Sequence, residues 1–266
     1  MKEMNVLITG AASGIGKAVA EYFRGMGATV FSLDIKASDS PGITSFVADI
    51  TNGDSLAAVK SALTESGTKL DVILNIAGVH AMASFVESDY KTMERVININ
   101  LLGTMQTNRV FHSLLKQDGR IIIVTSEVAT YTPMPFNGLY NVSKTALECY
   151  ADSLRQELNL LGQKVITIRP GAVETPLANG SLGATEKLAE DTVLYAEEAK
   201  HFANIVRKFT GTPMKPEKLA KLIYKAATAK RPRFSYDKHR SAGLVLLNML
   251  PKSWQCGIIK MLLKHK

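Results

Sequence analysis

The chain is poor in cysteine and has no long hydrophobic run. Only Cys149 and Cys256 occur in 266 residues. They have neither pair spacing nor neighbouring histidines, so we predict no disulfide, no metal site and a core position for Cys149. No apolar stretch reaches the roughly 18 residues that a membrane-spanning helix needs. Because a strand pattern begins at Met4, we expect no signal or transit peptide and a cytoplasmic location.

Acidic residues are absent from the C-terminal end of the chain. The formal net charge is +8, and no Asp or Glu follows Asp237. A basic protein can bind nucleic acid. The chain has no arginine-rich arm and no basic stretch interleaved with aromatic residues, so we predict no nucleic-acid partner. Segment 238–266 combines lysines with an apolar helical pattern. We predict that it packs on the domain, on a partner subunit or on a membrane surface, the last giving peripheral membrane association.

Strand and helix patterns alternate along residues 1–237. Short apolar runs that end in glycine or polar residues are typical of strands buried on both faces. The alternation predicts an α/β fold: one Rossmann-like domain with a doubly wound parallel sheet and helices on both faces. This domain includes a helical substrate lid at about 176–213. Strands are predicted at residues 4–9, 28–34, 43–47, 70–74, 120–125 and 165–169, with long helices at 90–115 and 140–161.

A glycine-rich turn follows the first predicted strand. Its spacing is Gly10-x3-Gly14-x-Gly16, and a helix pattern begins directly after it. Glycines let a phosphate approach the backbone, and a helix N-terminus offers unpaired N–H groups. The spacing differs from the dinucleotide fingerprint Gly-x-Gly-x-x-Gly. Alone, this turn is equally compatible with a tight strand–helix link.

Asp34 ends the second predicted strand, about 20 residues after the glycine turn, where a carboxylate can accept the ribose hydroxyls of an adenosine. A carboxylate there would repel a 2′-phosphate, and the next residue, Ile35, is not basic. We therefore favour NAD as the cofactor. Lys17 and Lys36 lie near enough in the sequence to leave NADP open.

Tyr140 and Lys144 are spaced to lie on one face of a predicted helix, one turn apart. A free tyrosine titrates near pH ~10 and is a poor base at neutral pH. A nearby cation lowers that pKa, and the tyrosine can then exchange a proton with an alcohol or carbonyl oxygen. Taken alone the pair is common, but each motif above lies where a predicted strand ends. Ligands of doubly wound sheets bind at these carboxyl ends.

The ordered series of motifs resembles the short-chain dehydrogenase/reductase superfamily, Tyr-x-x-x-Lys type, over residues 4–235. Its nearest branches by resemblance are the hydroxysteroid and retinol dehydrogenases. The resemblance implies that the catalytic residues are Asn100, Ser126, Tyr140 and Lys144. The cofactor-binding residues that it implies are Gly10, Ser13, Gly14, Ile15, Gly16, Asp34, Asp49, Ile50, Asn75, Ala77, Gly78, Tyr140, Lys144, Pro170, Gly171, Val173 and Thr175.

The same resemblance implies hydride transfer between a nicotinamide and a secondary alcohol or ketone. Tyr140 would exchange the proton, Lys144 would lower the pKa of Tyr140, and Ser126 would bind the reacting oxygen. Asn100 would kink its helix and hold a water on the proton path. The apolar residues around Phe136 and in the lid favour an apolar substrate that is steroid-, retinoid- or acyl-like. We expect Glu127 to face solvent.

Two other functions remain open from the sequence. The first is a sugar epimerase or reductase of the neighbouring extended family, although the chain lacks a larger C-terminal substrate domain. The second is a non-catalytic NAD(H)-binding redox sensor, although such proteins usually lose the tyrosine or the lysine. Family likeness also implies a homodimer or homotetramer, formed through the helices at 90–115 and 140–161.

Overall fold

Seven parallel strands form the centre of the molecule, in the order β3-β2-β1-β4-β5-β6-β7. The structure is a computed structural model that describes residues 4–209 and 212–264. The predicted doubly wound α/β fold is confirmed, since the chain runs outward from β1 in both directions. The strands are β1 Asn5–Thr9, β2 Thr29–Asp34, β3 Thr44–Val47, β4 Leu70–Asn75, β5 Leu115–Val124, β6 Lys164–Pro170 and β7 Ser235–Lys238.

Helices cover both faces of this sheet. They are α1 Gly14–Gly25, α2 Gly53–Glu65, α3 Tyr90–Ile97, α4 Thr104–Phe111, α5 Gly138–Asn159, α6 Pro176–Asp191, α7 Ala196–Phe209, α8 Pro216–Thr228, α9 Ala242–Asn248 and α10 Lys252–Leu263. In the described ranges, none of them has the length and apolar content required to span a bilayer. Asn52 caps α2 by accepting the Ser55 N–H.

Successive residues of the central strands enter two different cores, because side chains alternate across a strand. Val6 and Ile8 pack with α1 and α8 on one face, through residues such as Phe23. Leu7 packs on the other face with α2, α4 and α5, where Phe111 is fully buried. Both faces of β1 are therefore apolar, which explains its uninterrupted hydrophobic sequence.

A third apolar cluster lies beside the sheet and joins three separate segments. Phe136, from the loop before α5, contacts the rings of Tyr195 and Phe202, each with centroids 5.5 Å away. Ile259 and Leu263 of α10 are buried in the same cluster. The segment predicted to be a lid folds into α6 and α7, and α10 packs against α7; the role of that segment as a lid stays a prediction. Residues 1–3 of the predicted domain, 210 and 211 of the lid, and 265 and 266 of the C-terminal extension lie outside the described residues.

Several sequence expectations about local structure are wrong. The helix predicted at 90–115 is interrupted by a π-helical segment, Asn98–Gly103, and β5 already begins at Leu115. Cys149 is exposed, because α5 turns Leu147, Glu148 and Ala151 towards the core instead. Strand β7 was not predicted, since this short edge strand is polar and only partly buried.

Candidate active site

The glycine turn after β1 lies directly against the segment after β4. The Thr9 hydroxyl oxygen accepts the N–H groups of Ile76 and Ala77, at 3.1 and 3.2 Å. A Cβ placed on Gly10 would lie 2.7 Å from the Cα of Ala77, so only glycine fits there. These contacts fix the two segments side by side at the carboxyl edge of the sheet, where β1 and β4 diverge.

The turn into α1 is tight enough to require its glycines. A Cβ on Gly16 would lie 1.9 Å from the carbonyl oxygen of Gly10. Gly14 adopts a φ of +53°, which glycine tolerates best, and its hydrogen faces the side chain of Thr175. Ser13 precedes α1 in extended backbone and makes no side-chain capping bond. Ile15 reaches the cavity described below.

Asp34 is held at the edge of this turn. Its Oδ2 accepts the N–H of Ala12 at 3.0 Å, and its Oδ1 accepts the N–H of Lys36 at 3.2 Å. The Lys17 ammonium is paired with Asp39 at 2.7 Å. A carboxylate therefore borders the turn, while one of the two nearby lysines is already neutralised by an acidic partner.

Asp49 and Ile50 lie just beyond β3. The Asp49 Oδ1 accepts both the N–H and the hydroxyl of Thr51 at 2.8 Å, and its side chain is exposed. Ile50 is buried against Gly103, where a Cβ would meet its side chain at 2.8 Å. Neither residue lines the central cavity, so the structure places them at the outer, β3 side of the candidate site.

Asn75 and Asn100 are buried and hydrogen-bond to neighbouring segments. The Asn75 amide donates to the Asn108 Oδ1 at 2.8 Å. Asn100 lies in the π-helical segment, where its Oδ1 accepts the Val79 N–H at 2.8 Å and its Nδ2 donates to the Val79 carbonyl and the Ser143 hydroxyl at 2.9 Å. Asn100 therefore interrupts its helix as expected, and both of its amide hydrogens are used by the protein.

Ser126, Tyr140 and Lys144 meet around one cavity of about 170 Å³. Tyr140 and Ser126 both line it, and the Ser126 hydroxyl lies near enough to the phenol to oppose the rise in its pKa. Lys144 is buried, donates to the Val124 carbonyl at 3.1 Å and lies 5.7 Å from the centre of the Tyr140 ring. The cavity is lined by Ile15, Ile76, Gly78, His80, Val124, Thr125, Ser126, Tyr140, Lys144, Pro170, Gly171, Ala172, Val173, Thr175, Leu177 and Ala178.

Burial sets the protonation of the two titrating residues. It raises the pKa of Tyr140 to about 12, which the Ser126 hydroxyl opposes. It lowers the pKa of Lys144 to about 8, against the charge of Glu148. That Lys144 lowers the tyrosine pKa stays a prediction: in the protein alone, loss of solvation is the dominant influence and raises this pKa. A second positive charge in the cavity would favour the phenolate.

The segment after β6 closes the cavity opposite Gly78. The N–H of Gly171 donates to the Lys238 carbonyl at 2.9 Å, and Val173 is buried beside it. Thr175 caps α6 by accepting the Ala178 N–H at 3.1 Å, and its side chain also faces Gly14. The predicted stretch from Pro170 to Thr175 thus faces the glycine turn across the cavity.

Two residues near the reacting group carried no recognised sequence signal. His80 lines the cavity with its ring centroid 4.6 Å from that of Tyr140, and its Nε2 contacts the Asn137 Oδ1 at 2.9 Å. Burial lowers the pKa of His80, so the ring is neutral at pH 7. Glu148 accepts from Arg169 at 2.9 and 2.7 Å and from the Thr125 hydroxyl. Its position one turn after Lys144 was the available signal.

A nicotinamide dinucleotide fits this arrangement of residues. Gly10, Gly14 and Gly16 bring bare backbone to the N-terminus of α1, and a Cβ on Gly78 would lie 3.2 Å from Asn100 Oδ1 and 3.5 Å from Lys144 Nζ. The path from the glycine turn to Tyr140 therefore passes bare backbone at these glycines and the apolar side chains of Ile15 and Ile76, which suits a flat, phosphorylated ligand.

The sequence profile of the short chain dehydrogenase family matches residues 4–185, more than half of the chain. The chain belongs to this family. Short-chain dehydrogenase srdE of Neurospora crassa is 34% identical over 209 residues, which cover 76% of this chain and 71% of that protein. The NADPH-dependent 1-acyldihydroxyacetone phosphate reductase of Schizosaccharomyces pombe is 32% identical over 203 residues, covering 73% and 68%.

Further similarity extends into the C-terminal half. The 3-ketodihydrosphingosine reductase of Bacteroides thetaiotaomicron is 28% identical over 239 residues, covering 88% of this chain and 87% of that protein. The solved structure of a short-chain dehydrogenase from Streptomyces avermitilis has a TM-score of 0.76 at 19% identity, covering 98% of this chain and 96% of the other. As a member of the short-chain dehydrogenase family, the protein with the sequence described above is an oxidoreductase that acts on CH–OH or keto groups with NAD or NADP.

Proposed function

We propose that the protein interconverts a secondary alcohol and a ketone of an apolar, acyl-like substrate, with NAD as its cofactor. The observation that carries the proposal is the meeting of Ser126, Tyr140 and Lys144 at one cavity, which the glycine turn and the Pro170–Gly171 segment also border. Bound NAD would accept or supply the hydride. The side chains of this chain supply the proton and the orientation.

Each catalytic side chain has a role that follows from its contacts. Tyr140 exchanges a proton with the reacting oxygen, and Ser126, which lines the same cavity, donates to that oxygen and stabilises charge on it. Lys144 keeps its charge at neutral pH beside the tyrosine and binds the ribose of the cofactor. Asn100 holds the backbone at Val79 in place and leaves the second lone pair of its Oδ1 facing Gly78, where a water can continue the proton path.

The choice of NAD rests on Asp34. Its carboxylate is fixed at the glycine turn by Ala12 and Lys36, where it can accept both ribose hydroxyls and repel a 2′-phosphate. Lys17 is engaged by Asp39. The NADPH-dependent yeast relative shows that cofactor preference varies among similar chains. Binding of NAD and NADP to the purified protein, compared by titration calorimetry, tests the choice.

The apolar substrate class rests on the cluster around Phe136. Phe136 precedes α5 and packs with Tyr195 and Phe202 of the lid, and partly buried methionines join them. The cluster itself does not line the cavity; together with Ile76 and Leu177, which do, it offers apolar surface that favours an alkyl chain over a sugar. By their names, the two reductases mentioned above act on a 1-acyldihydroxyacetone phosphate and on 3-ketodihydrosphingosine, and the proposed acyl-like substrate is based on these two names.

Turnover with Tyr140→Phe tests the reaction. Wild-type protein is mixed with NAD or NADH and a panel of long-chain keto esters, ketosphingoid bases, steroids, retinoids and sugars, and the nicotinamide absorbance is followed. Tyr140→Phe should lower kcat by about 10²–10⁴-fold, while NAD binding stays intact. The matched control is Tyr90→Phe, since Tyr90 is 75% exposed on α3. Cofactor binding without turnover on any substrate would favour a redox sensor instead, and turnover of sugars alone would favour the epimerase-like function.

We propose a homodimer or homotetramer that pairs through the α3–α4 and α5 surfaces. Leu102, Met105 and Val142 expose large apolar side chains there, at 48%, 38% and 47%. Burial of these residues against a second copy would explain apolar groups on the solvent side of helices. Sedimentation equilibrium of wild type and of Met105→Glu/Val142→Glu tests this. A wild-type monomer would contradict it.

The C-terminal extension, residues 238–264, is the proposed site of peripheral membrane contact. Ile259 and Leu263 are buried on one side of α10, whereas Trp254 and Met261 lie on the opposite side and are 64% and 68% exposed. Lys260 and Lys264 flank the exposed side of the helix, and no acidic residue follows Asp237. Apolar side chains beside lysines match an anionic bilayer, from which a long-chain substrate would also come.

Vesicle co-sedimentation tests the membrane contact. Full-length protein should sediment with vesicles of mixed phosphatidylcholine and phosphatidylglycerol and remain in the supernatant with phosphatidylcholine alone. Trp254→Ser/Met261→Ser should abolish sedimentation with these vesicles. The control is Leu160→Ser/Leu161→Ser, at two exposed residues just after the C-terminal end of α5, which should leave sedimentation unchanged. Charge reversal at Lys252, Lys260 and Lys264 tests the role of the lysines. Its matched control is charge reversal at the exposed α8 residues Lys218, Lys221 and Lys225. Equal recovery of all variants in the supernatant would exclude the contact.

A further inference from the structure

Glu127 immediately follows Ser126 and is buried, although the sequence suggested a solvent-facing residue. Its side chain is only 7% exposed. The Oε2 accepts the backbone N–H of Ser241 at 2.7 Å, and a Cβ on Gly171 would lie 2.9 Å from the Oε1. The carboxylate therefore sits between the loop that carries Ser126, the Pro170–Gly171 segment and the start of the C-terminal extension.

Further contacts join the same segments. We call residues 126–132 the serine loop and residues 238–248 the clasp. Arg240 of the clasp donates to the Tyr131 hydroxyl at 2.6 Å, with its guanidinium 5.0 Å from the ring centre. Asn248 accepts the N–H of Thr132 at 2.7 Å. Both ends of the clasp are thus hydrogen-bonded to the serine loop.

The clasp also covers the cavity wall at Gly171. Lys238 accepts the Gly171 N–H, and the His239 carbonyl oxygen would lie 1.9 Å from a Cβ on Gly171. His239 has a φ of 62°, an unfavourable backbone angle for a non-glycine residue that turns the chain out of β7 and over the wall. A buried carboxylate that is hydrogen-bonded to backbone holds its partner strongly, because water cannot replace it.

We infer that Glu127 is a positioning residue: it anchors the clasp to the serine loop and so keeps the Ser126 hydroxyl against Tyr140. The C-terminal extension would then be part of the active-site wall and not an accessory tail. This inference rests on the proposed function for its kinetic consequence, but the anchoring itself is independent of any substrate. Small displacements of a catalytic group are costly, about 10²-fold for 1 Å.

The test removes either half of the anchor. Glu127→Ala removes the acceptor. Ser241→Pro removes the donor N–H at a residue whose φ of −69° proline adopts. We expect amide hydrogen exchange in residues 126–132 to become at least about tenfold faster in both variants. With a substrate in hand, kcat should fall about 10- to 100-fold, while the KM for NAD stays near its wild-type value.

Two matched variants separate the anchor from simple damage. Glu127→Gln keeps an acceptor oxygen, and Ser241→Ala keeps the N–H while losing the same hydroxyl that proline loses. Both should exchange at the wild-type rate. If Glu127→Ala fails to fold, amide hydrogen exchange in Ser241→Pro alone tests the inference. Unchanged exchange in the folded variants, or equal acceleration in Ser241→Ala and Ser241→Pro, would overturn the inference. Absence of turnover in wild type would instead defeat the proposed function and leave the exchange result valid.

Discussion

The cofactor side and the substrate side of the site are built differently. On the cofactor side, backbone approaches backbone: Gly10 lies against Ala77, and Gly16 lies against Gly10. On the proposed substrate side, side chains from distant segments meet, such as Phe136, Phe202 and Ile259. Backbone contacts demand particular residue types at fixed spacing, whereas an apolar cluster accepts many residues of similar volume. The first kind of site therefore leaves a readable sequence motif and the second does not.

The largest expected effect is on the backbone-built side. Gly16→Ala would force a methyl group within 1.9 Å of the Gly10 carbonyl oxygen and displace the glycine turn. We expect a loss of stability of about 1–3 kcal/mol and NAD binding weakened by about 10- to 100-fold. Thermal unfolding and calorimetric titration measure both.

Gly25→Ala, in the same helix, is its control. No described atom lies within 4 Å of a Cβ at that position. Alanine should stabilise the protein slightly, by about 0.4–1 kcal/mol, with NAD binding unchanged. Equal behaviour of the two variants would mean that the glycine turn does not depend on close backbone contact.

A smaller effect should follow from changing the charge that borders the turn. Asp34→Ala/Ile35→Arg removes the carboxylate and adds a guanidinium that can pair with a 2′-phosphate. We expect the ratio of NADP to NAD affinity to rise by about tenfold or more, as for a charge-assisted hydrogen bond of about 1.5–3 kcal/mol. Ile35 is 66% exposed, so Ile35→Arg alone is a folded control. An unchanged ratio would contradict the role assigned to Asp34.

On the side of the site that is built from side chains, the buried Lys144 should make the unfolding free energy depend on pH. Its folded pKa of about 8 lies below the ordinary value of 10.5. Below pH 8 Lys144 is charged in both the folded and the unfolded state, and burial of the charge lowers the unfolding free energy by its full amount. As the pH rises from 8, the folded state loses this proton before the unfolded state does, so the destabilisation declines. Relative to Lys144→Met, wild type should gain about 1–3 kcal/mol in unfolding free energy between pH 8 and 10.

Urea unfolding of both proteins across this range is the measurement. Above pH 10 the comparison ends, because Tyr140, with a raised pKa of about 12, contributes in the opposite sense: the unfolded tyrosine ionises first. Parallel pH curves for wild type and Lys144→Met would show that the lysine is not desolvated.

The smallest effect is expected at Cys149. Because this residue is exposed on α5, Cys149→Ser should change the unfolding free energy by less than about 0.5 kcal/mol. The comparison is Leu147→Ala, two residues away and fully buried, which should cost about 2–5 kcal/mol. Thermal or urea unfolding separates them. A large effect at Cys149 would imply an interface that covers it.

The alternation of strand and helix was readable from the sequence because buried parallel strands and amphipathic helices have different hydrophobic periods. Strand β7 was not, since a polar edge strand has no such period. The interruption of the predicted helix at Asn98–Gly103 was expected only from the family resemblance, because the π-helical segment is held by hydrogen bonds between Asn100 and Val79, which are far apart in sequence. His80 had no signal in the sequence, and the signal for Glu148 was its position one turn after Lys144, because both residues hydrogen-bond to segments distant in the chain.

The sequence by itself determined the fold and the order of the motifs. Glycine spacing, strand-end residues and the Tyr140–Lys144 interval are local properties. They can be recognised in the sequence because each depends on the backbone geometry of a short segment. Only the tertiary structure decided that Glu127 is buried, that Cys149 is exposed and that the tyrosine pKa is raised. Each of these depends on which distant atoms displace water from a side chain, and solvation is a property of the packed molecule.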